Sequence, residues 1–271
     1  MTTAKPPVAL TIAGSDSGGG AGILADLKTF EAHGVWGTAA VVAVTAQNTL
    51  GVQAFETVSP ALVGAQISSV AADIGVDAAK TGMLASAAMV ETVAGALSEM
   101  GIVRLVVDPV FVSKHGDTLL ADDAVDALRG QLLPLATVVT PNLPEAERLV
   151  ERSIATRDEM AEAARALVAL GAGLAMVKGG HLEGHESPDC VWAAGDVEPR
   201  WLEGNRIEGR HTHGTGCVLS AAMTAELAKG MDPGDACVAG KRFVERAIAA
   251  GLDLGGGVGP VNPGWERLAA Q

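Results

Sequence analysis

Short β-branched runs alternate along this chain with longer Ala- and Leu-rich amphipathic stretches. The runs at 8–13, 38–45, 78–81, 103–108, 137–140 and 174–178 read as strands. The stretches at 22–33, 60–73, 86–100, 121–129, 158–170, 217–229 and 233–252 read as helices. Strand and helix in such regular succession predict a mostly parallel central sheet covered by helices on both faces, a three-layer α/β/α class. The near-continuous apolar character of VRLVVD at 103–108 predicts a central strand rather than an edge. Segment 181–209 differs: Trp192, Trp201, several glycines and prolines, and alternating polarity suit a hairpin appended after the sixth strand. With no Pro/Ser-rich linker and no internal repeat, residues 1–271 are expected to form a single domain.

In open α/β sheets, ligands gather outside the carboxyl ends of the strands. That rule alone brings Ser15-Asp16, Gln47-Asn48, Gly82-Met83, Asp108, Asn142 and Lys178-Gly179-Gly180 to one edge. A further corner, His213-Gly214-Thr215-Gly216-Cys217, runs straight into an apolar helix. Its glycines permit a tight turn, and the N–H groups of 214–217 then point out of a helix N-terminus. Such an end carries roughly half a positive charge and favours an anion. A thiol placed there is pushed towards thiolate. An anion cradle holding an ionisable group suggests phosphate transfer; the plainer reading is a helix start beside a buried cysteine.

The other strand ends each keep two readings open. Loop 14–22 follows the first strand and opens a helix, and GAGILA at 20–25 fits a loose GxGxxA pattern. A dinucleotide site also wants an acid at the end of the second strand. No acidic residue lies between Glu31 and Glu56, and no GxxxxGK[ST] occurs, so the glycines suit either a close backbone approach to some other ligand or merely a tight turn. Asp26, one turn into that helix, is either a surface carboxylate or one that reaches a substrate. Gln47 offers a donor and an acceptor side by side, matching the edge of an aminopyrimidine ring, or else serves a turn. Asp108-Pro109 can hold Mg²⁺ directly or through water. The polar loop 113–117 is a phosphate lid or an ordinary connection. Asn142-Leu-Pro-Glu145 is a capped helix start, or it organises Mg²⁺ and nucleotide phosphates. His181 and His185 stand four apart, but the glycines around them argue against a helical zinc site.

Composition removes whole classes. The net charge is −13, aromatics make up 3 % and Tyr is absent. A nucleic-acid binder needs a basic stripe and stacking aromatics, and neither is present. Cys190, Cys217 and Cys237 are odd in number and form no CxxC, which excludes a disulfide framework or zinc ribbon. The apolar run near the start is too short for a signal peptide, and no segment reads as a membrane helix; the expected location is a reducing cytoplasm.

Taken together, these pieces resemble the hydroxymethylpyrimidine/phosphomethylpyrimidine kinases of thiamine biosynthesis, in the ribokinase-like superfamily. The matching segments are ALTIAGSDSGGGAGILADLKTF (9–30), TAQNTLGV (45–52), KTGML (80–84), VVDPVFVSKHGDTLL (106–120), TPNLPEAERL (140–149), VKGGH (177–181), HTHGTGC (211–217) and GPV (259–261). They run nearly end to end. The resemblance implies transfer of the ATP γ-phosphate to the hydroxymethyl group of 4-amino-5-hydroxymethyl-2-methylpyrimidine, then a second transfer onto the monophosphate, by a Mg²⁺-dependent homodimer. It implies that Gln47 pairs with the aminopyrimidine, and that Gly14, Asp26, Met83 and Val110 line the substrate pocket. Gly214, Thr215, Gly216 and Cys217 would form the anion hole, with Cys217 where sugar kinases of the superfamily use an aspartate base. Asn142, Glu145, Lys178 and the lid residue Lys114 would serve the nucleotide phosphates, with Glu145 and Asp108 supporting the metal. Two positions depart from relatives. Ser113 stands where dual-function relatives that also phosphorylate pyridoxal carry cysteine, and His211 stands where asparagine is frequent. The competing readings are a pyridoxal kinase of the same fold and a ligand-binding relative without turnover; the presence of Asp108, Glu145, Lys178 and Cys217 argues against the latter.

Overall fold

A computed structural model describes residues 5–111 and 122–269. The expected lid, with Ser113 and Lys114, lies outside the described residues. The strands are β1 (Val8–Gly14), β2 (Trp36–Asn48), β3 (Gly51–Thr57), β4 (Ala78–Thr81), β5 (Leu105–Val107), β6 (Val138–Val139), β7 (Leu174–Lys178), β8 (Asp189–Ala193) and β9 (Arg200–Leu202). They make one sheet in the order β3-β2-β1-β4-β5-β6-β7-β8-β9. The strands from β2 to β7 run parallel, while β3, β8 and β9 each run antiparallel to a neighbour.

Every residue of β1 is buried, as an apolar run of that length in a sheet covered on both faces requires. Its side chains divide with the period of two: Leu10 and Ile12 enter one core and Ala9 the other. The first core is closed by α2 (Pro60–Asp73), α3 (Ala87–Glu99), α4 (Asp122–Ala127), α5 (Leu143–Val150) and α6 (Arg157–Ala169). The second is closed by α1 (Gly22–Ala32), α7 (Thr215–Ala228) and α8 (Pro233–Ala249). α7 is apolar all round because it is enclosed on every side, between the sheet, α1 and α8. A short α9 (Trp265–Ala269) ends the described chain. Among the described residues, no helix is long and apolar enough to cross a membrane.

The structure adds to the sequence reading at the margins. β3 was not expected; it is an edge strand, largely exposed, so it lacks an apolar period. The predicted strand at 103–108 starts only at Leu105, with Val103 79 % exposed. The hairpin expected within 181–209 exists as β8 and β9. The helix expected over 121–129 gives way to a π-turn, Leu128–Leu132, and then a 3₁₀ turn at Pro134, a residue that cannot extend an α-helix. What positions the site is the order of strands: from β1 the chain goes outward to β2 and β3 on one side and returns to β4 on the other. The border of β1 and β4 is therefore a topological switch point, where a crevice opens at the carboxyl ends.

Candidate active site

A cavity of about 750 Å³ opens over that border. Gly14, Gln47, Met83 and Val110 line one part of it; Asp108, Asn142, Glu145, Lys178 and the corner Gly214–Cys217 line the rest. These expected residues come from seven strand or helix ends yet share one cavity. Among the described residues, one expected lining residue, Asp26, lies behind the wall. Lys114 lies outside the described residues.

The corner forms an open helix N-terminus facing the cavity. Gly214 caps α7 in the left-handed region at φ 82° and offers no side-chain cap, which leaves first-turn N–H groups for a ligand. A Cβ at 214 would stand 1.8 Å from the Gly20 carbonyl oxygen, so only glycine fits. At Gly216 a Cβ would lie 3.5 Å from Lys178 Nζ and 3.6 Å from Asp108 Oδ2, which places the corner directly against that ion pair.

Asp108, at the end of β5, is nearly fully buried. Its Oδ1 accepts from Lys178 Nζ and from Thr140 Oγ1, both at 3.3 Å, and its Oδ2 accepts from Ser220 Oγ at 3.2 Å. Lys178 Nζ also stands 3.9 Å from Glu145 Oε2. Glu145 is held by a capping box: Asn142 N–H donates to Oε2 at 2.7 Å and Glu145 N–H donates to Asn142 Oδ1 at 2.9 Å. The capped helix start is thus realised, and the same two side chains line the cavity. Burial pushes the Glu145 carboxyl up to about 7; Lys178 and the Asn142 N–H work against this, and Asp108 adds to it. Burial pulls Lys178 down, but Asp108 and Glu145 outweigh it and hold the ammonium above its ordinary range.

Cys217 corrects an expectation. Its thiol is not drawn towards thiolate; burial pushes it up to about 12. Lys80 and a hydrogen bond from the Gly22 N–H act the other way, while Asp26 and Asp108 reinforce the rise. The partial charge of a helix end does not offset loss of water plus two nearby carboxylates.

Asp26 is neither a surface group nor a lining one. It is fully buried, accepts from Thr11 Oγ1 at 2.6 Å and pairs with Lys80 Nζ at 2.8 Å. Lys80, also fully buried, lines the cavity in its place. Sequence reasoning missed Lys80 as a site residue. The available signal was a lone charge inside a four-residue buried strand, which demands a partner. It also missed Asp16 and His213 as a pair, Nε2 to Oδ2 at 2.8 Å, and Ser220 on Asp108. His211, left unassigned, packs between Gly251 and Gly259: a Cβ at either would meet its side chain at 2.4 Å or less.

Residues 16–262 match the family model described as phosphomethylpyrimidine kinase. Over 261 residues the chain is 51 % identical to the hydroxymethylpyrimidine/phosphomethylpyrimidine kinase of Streptomyces coelicolor, covering 96 % of this chain and 95 % of that protein. Over 262 residues it is 46 % identical to the thiamine biosynthesis bifunctional protein ThiED of Geobacter sulfurreducens, covering 97 % of this chain and 52 % of that protein. Among solved structures, an ADP complex of Bacillus subtilis pyridoxal kinase superposes with a TM-score of 0.89 at 40 % identity, covering 97 % of this chain and 99 % of that one. Matched over nearly its whole length in both sequence and fold, the chain belongs to the phosphomethylpyrimidine kinase family, within the ribokinase-like fold.

Proposed function

We propose that this cleft moves a phosphate from ATP to the hydroxymethyl group of 4-amino-5-hydroxymethyl-2-methylpyrimidine, then a second onto the monophosphate, giving the diphosphate used in thiamine biosynthesis. The observation that carries the reading is a convergence. An uncapped helix N-terminus, a charged lysine and two carboxylates meet in one cavity whose other wall is Gly14, Gln47, Met83 and Val110.

In each transfer the substrate oxygen bonds to the γ-phosphorus as the bond to the ADP oxygen breaks. ADP leaves with the electron pair, and in the first transfer the hydroxyl loses its proton. Such a transition state is loose, so placement and charge neutralisation supply most of the rate. The N–H groups of 214–217 neutralise charge without reorganising, and Lys178 adds an ammonium. Gln47 reads the ring, with Gly14, Met83 and Val110 around it; Asp26 acts from behind, through Lys80. We assign Cys217 as acceptor of the hydroxyl proton. Because the thiol is protonated at rest, it must first release its own proton to solvent before it can take the hydroxyl proton, and Lys80 favours the thiolate.

Asp108 and Glu145 suit Mg²⁺, which takes one or two carboxylates and completes its shell with phosphate oxygens and water. Among the described residues no group of three His, Cys, Asp or Glu side chains would cage a metal alone, in keeping with that preference. When bound, the ion neutralises phosphate charge; Asn142 holds Glu145 in place for it, and Lys178 and Lys114 serve the nucleotide phosphates. The reading includes residues 1–271 working as one domain and as a homodimer, which light scattering on the purified protein checks.

The test incubates protein, the pyrimidine, ATP and Mg²⁺ and follows mono- and diphosphate by phosphorus NMR. Both should form in order, and removal of Mg²⁺ by a chelator should stop them. The likeness to a pyridoxal kinase favours one rival, and kcat/KM measured on both ring systems decides it. A preference for pyridoxal overturns the substrate assignment.

A further inference from the structure

The loop between β1 and α1 and the loop before α7 meet around a buried pair that the chemistry above leaves unused. Asp16 is 2 % exposed. Its Oδ1 accepts from Gly18 N–H at 2.8 Å. Its Oδ2 accepts from the N–H groups of Gly20 at 3.0 Å and Ala21 at 2.9 Å, and from His213 Nε2 at 2.8 Å. Burial raises this carboxyl, but His213 and the loop N–H groups outweigh it and hold Asp16 below its ordinary range, ionised. An ionised acceptor at that distance places the imidazole proton on Nε2.

The same Nε2 stands 3.5 Å from Gln47 Nε2 as drawn. The oxygen and nitrogen of a primary amide are interchangeable in assignment and are settled by the surrounding hydrogen bonds. A protonated Nε2 has no lone pair to accept from an amide N–H. Gln47 therefore turns its oxygen to His213, sharing the proton with Asp16. Its backbone is already fixed: Ser17 Oγ donates to Gln47 O at 2.8 Å and accepts from Gln47 N at 2.7 Å. His213 is fixed as well, donating its N–H to Gly259 O and accepting from Val261 N–H, both at 3.1 Å. One imidazole thus sets which end of the Gln47 amide is oxygen and which is NH₂.

We propose that Asp16 and His213 are specificity-determining positioning residues: they lock the sense of the Gln47 amide so that the site accepts an amino-bearing pyrimidine edge and refuses a 4-oxo edge. The inference rests on the pyrimidine reading above. The amide oxygen has a second lone pair for the substrate amine, and the NH₂ donates to the adjacent ring nitrogen. A 4-oxo ring presents the reverse order, an acceptor and then an N–H donor. It fits only an amide rotated by half a turn, which the imidazole N–H forbids. A mismatched pair of hydrogen bonds corresponds to a preference of roughly 10- to 100-fold.

The test measures kcat/KM for 4-amino-5-hydroxymethyl-2-methylpyrimidine and for its 4-oxo analogue in wild type, His213→Ala, His213→Gln and Asp16→Asn. His213→Ala should cut the amino/oxo ratio by about tenfold or more, with the KM for ATP within a few-fold. Asp16→Asn should lower the ratio too, because a neutral amide oxygen in place of the carboxylate holds the imidazole proton on Nε2 less firmly. His213→Gln keeps an N–H facing Asp16 and should retain most of the ratio. If His213→Ala does not fold, the contrast between Asp16→Asn and His213→Gln carries the test. Equal losses on both substrates, leaving the ratio unchanged, would reduce the pair to a structural role and overturn the inference. A wild type inactive on the amino substrate sinks the function reading instead.

Discussion

Gly214→Ala probes the anion cradle where its geometry is tightest. The residue lies at φ 82°, and its Cβ would sit 1.8 Å from the Gly20 carbonyl oxygen, itself backbone. Real Cβ contacts do not fall below 3.0 Å, so one of the two loops must move by about 1 Å. The left-handed conformation adds roughly 1–2 kcal/mol for a residue bearing a Cβ. Displacement of about 1 Å in a group that positions a reacting phosphate costs on the order of 10²-fold in rate. Gly216→Ala is the matched control: its Cβ meets only Lys178 Nζ and Asp108 Oδ2, at ordinary contact distance. The control should fold with wild-type stability while raising the KM for ATP, because the methyl occupies the space a phosphate oxygen needs. Steady-state kinetics with a coupled ADP assay, alongside urea unfolding, separates the two. Gly214→Ala should lose about 10² in kcat and about 1–2 kcal/mol in stability. A Gly214→Ala protein with near-wild-type kcat would refute the claim that these N–H groups carry the transfer.

Three further outcomes follow from the same geometry. With the thiol pushed up to about 12, a base role for Cys217 requires kcat/KM to keep rising with pH through the alkaline range without a plateau below about 12; Cys217→Ala should remove that rise and roughly 10² of kcat. A flat wild-type profile, or a variant within a few-fold of it, assigns Cys217 to packing. Lys80→Met leaves the Asp26 carboxylate buried and unpaired, at about 3–5 kcal/mol by chemical denaturation, and adding Asp26→Leu should recover most of it; a single variant within 1 kcal/mol of wild type contradicts the ion pair. Glu145 keeps its proton in the fold up to about 7, whereas the unfolded chain releases it near 4.5. The fold therefore loses stability as pH rises between those values, and Glu145→Gln should flatten that part of the urea-derived stability curve; an unchanged slope removes Glu145 as its source.

The alternation of strand and helix, and hence the sheet, was legible because its signals are local. Periods of two and 3.6, a capping box at Asn142 and Glu145, and glycines at turns are all read from chain neighbours. Strand ends in such a sheet must share an edge, so Asp108, Gln47 and Lys178 could be gathered from the sequence, while the corner 214–217 was marked by its glycines before an apolar helix. β3 escaped because an exposed edge strand carries no apolar period.

Other properties depend on neighbours distant along the chain. Asp26 read as surface or substrate-facing from its own helix; Lys80, 54 positions away, makes it a buried ion pair. Cys217 read as a thiolate from the helix end; burial beside Asp26 and Asp108 makes it a thiol. His213 and Asp16, 197 positions apart, become one unit only when their loops meet at Gly20 and Gly214. The sequence by itself determined the layers, the edge and the helix start at 214–217, since dihedral preference and hydrophobic period act between residues adjacent in the chain. Only the tertiary structure decided which carboxylates are paired and which thiol is protonated, since desolvation and charge act through space.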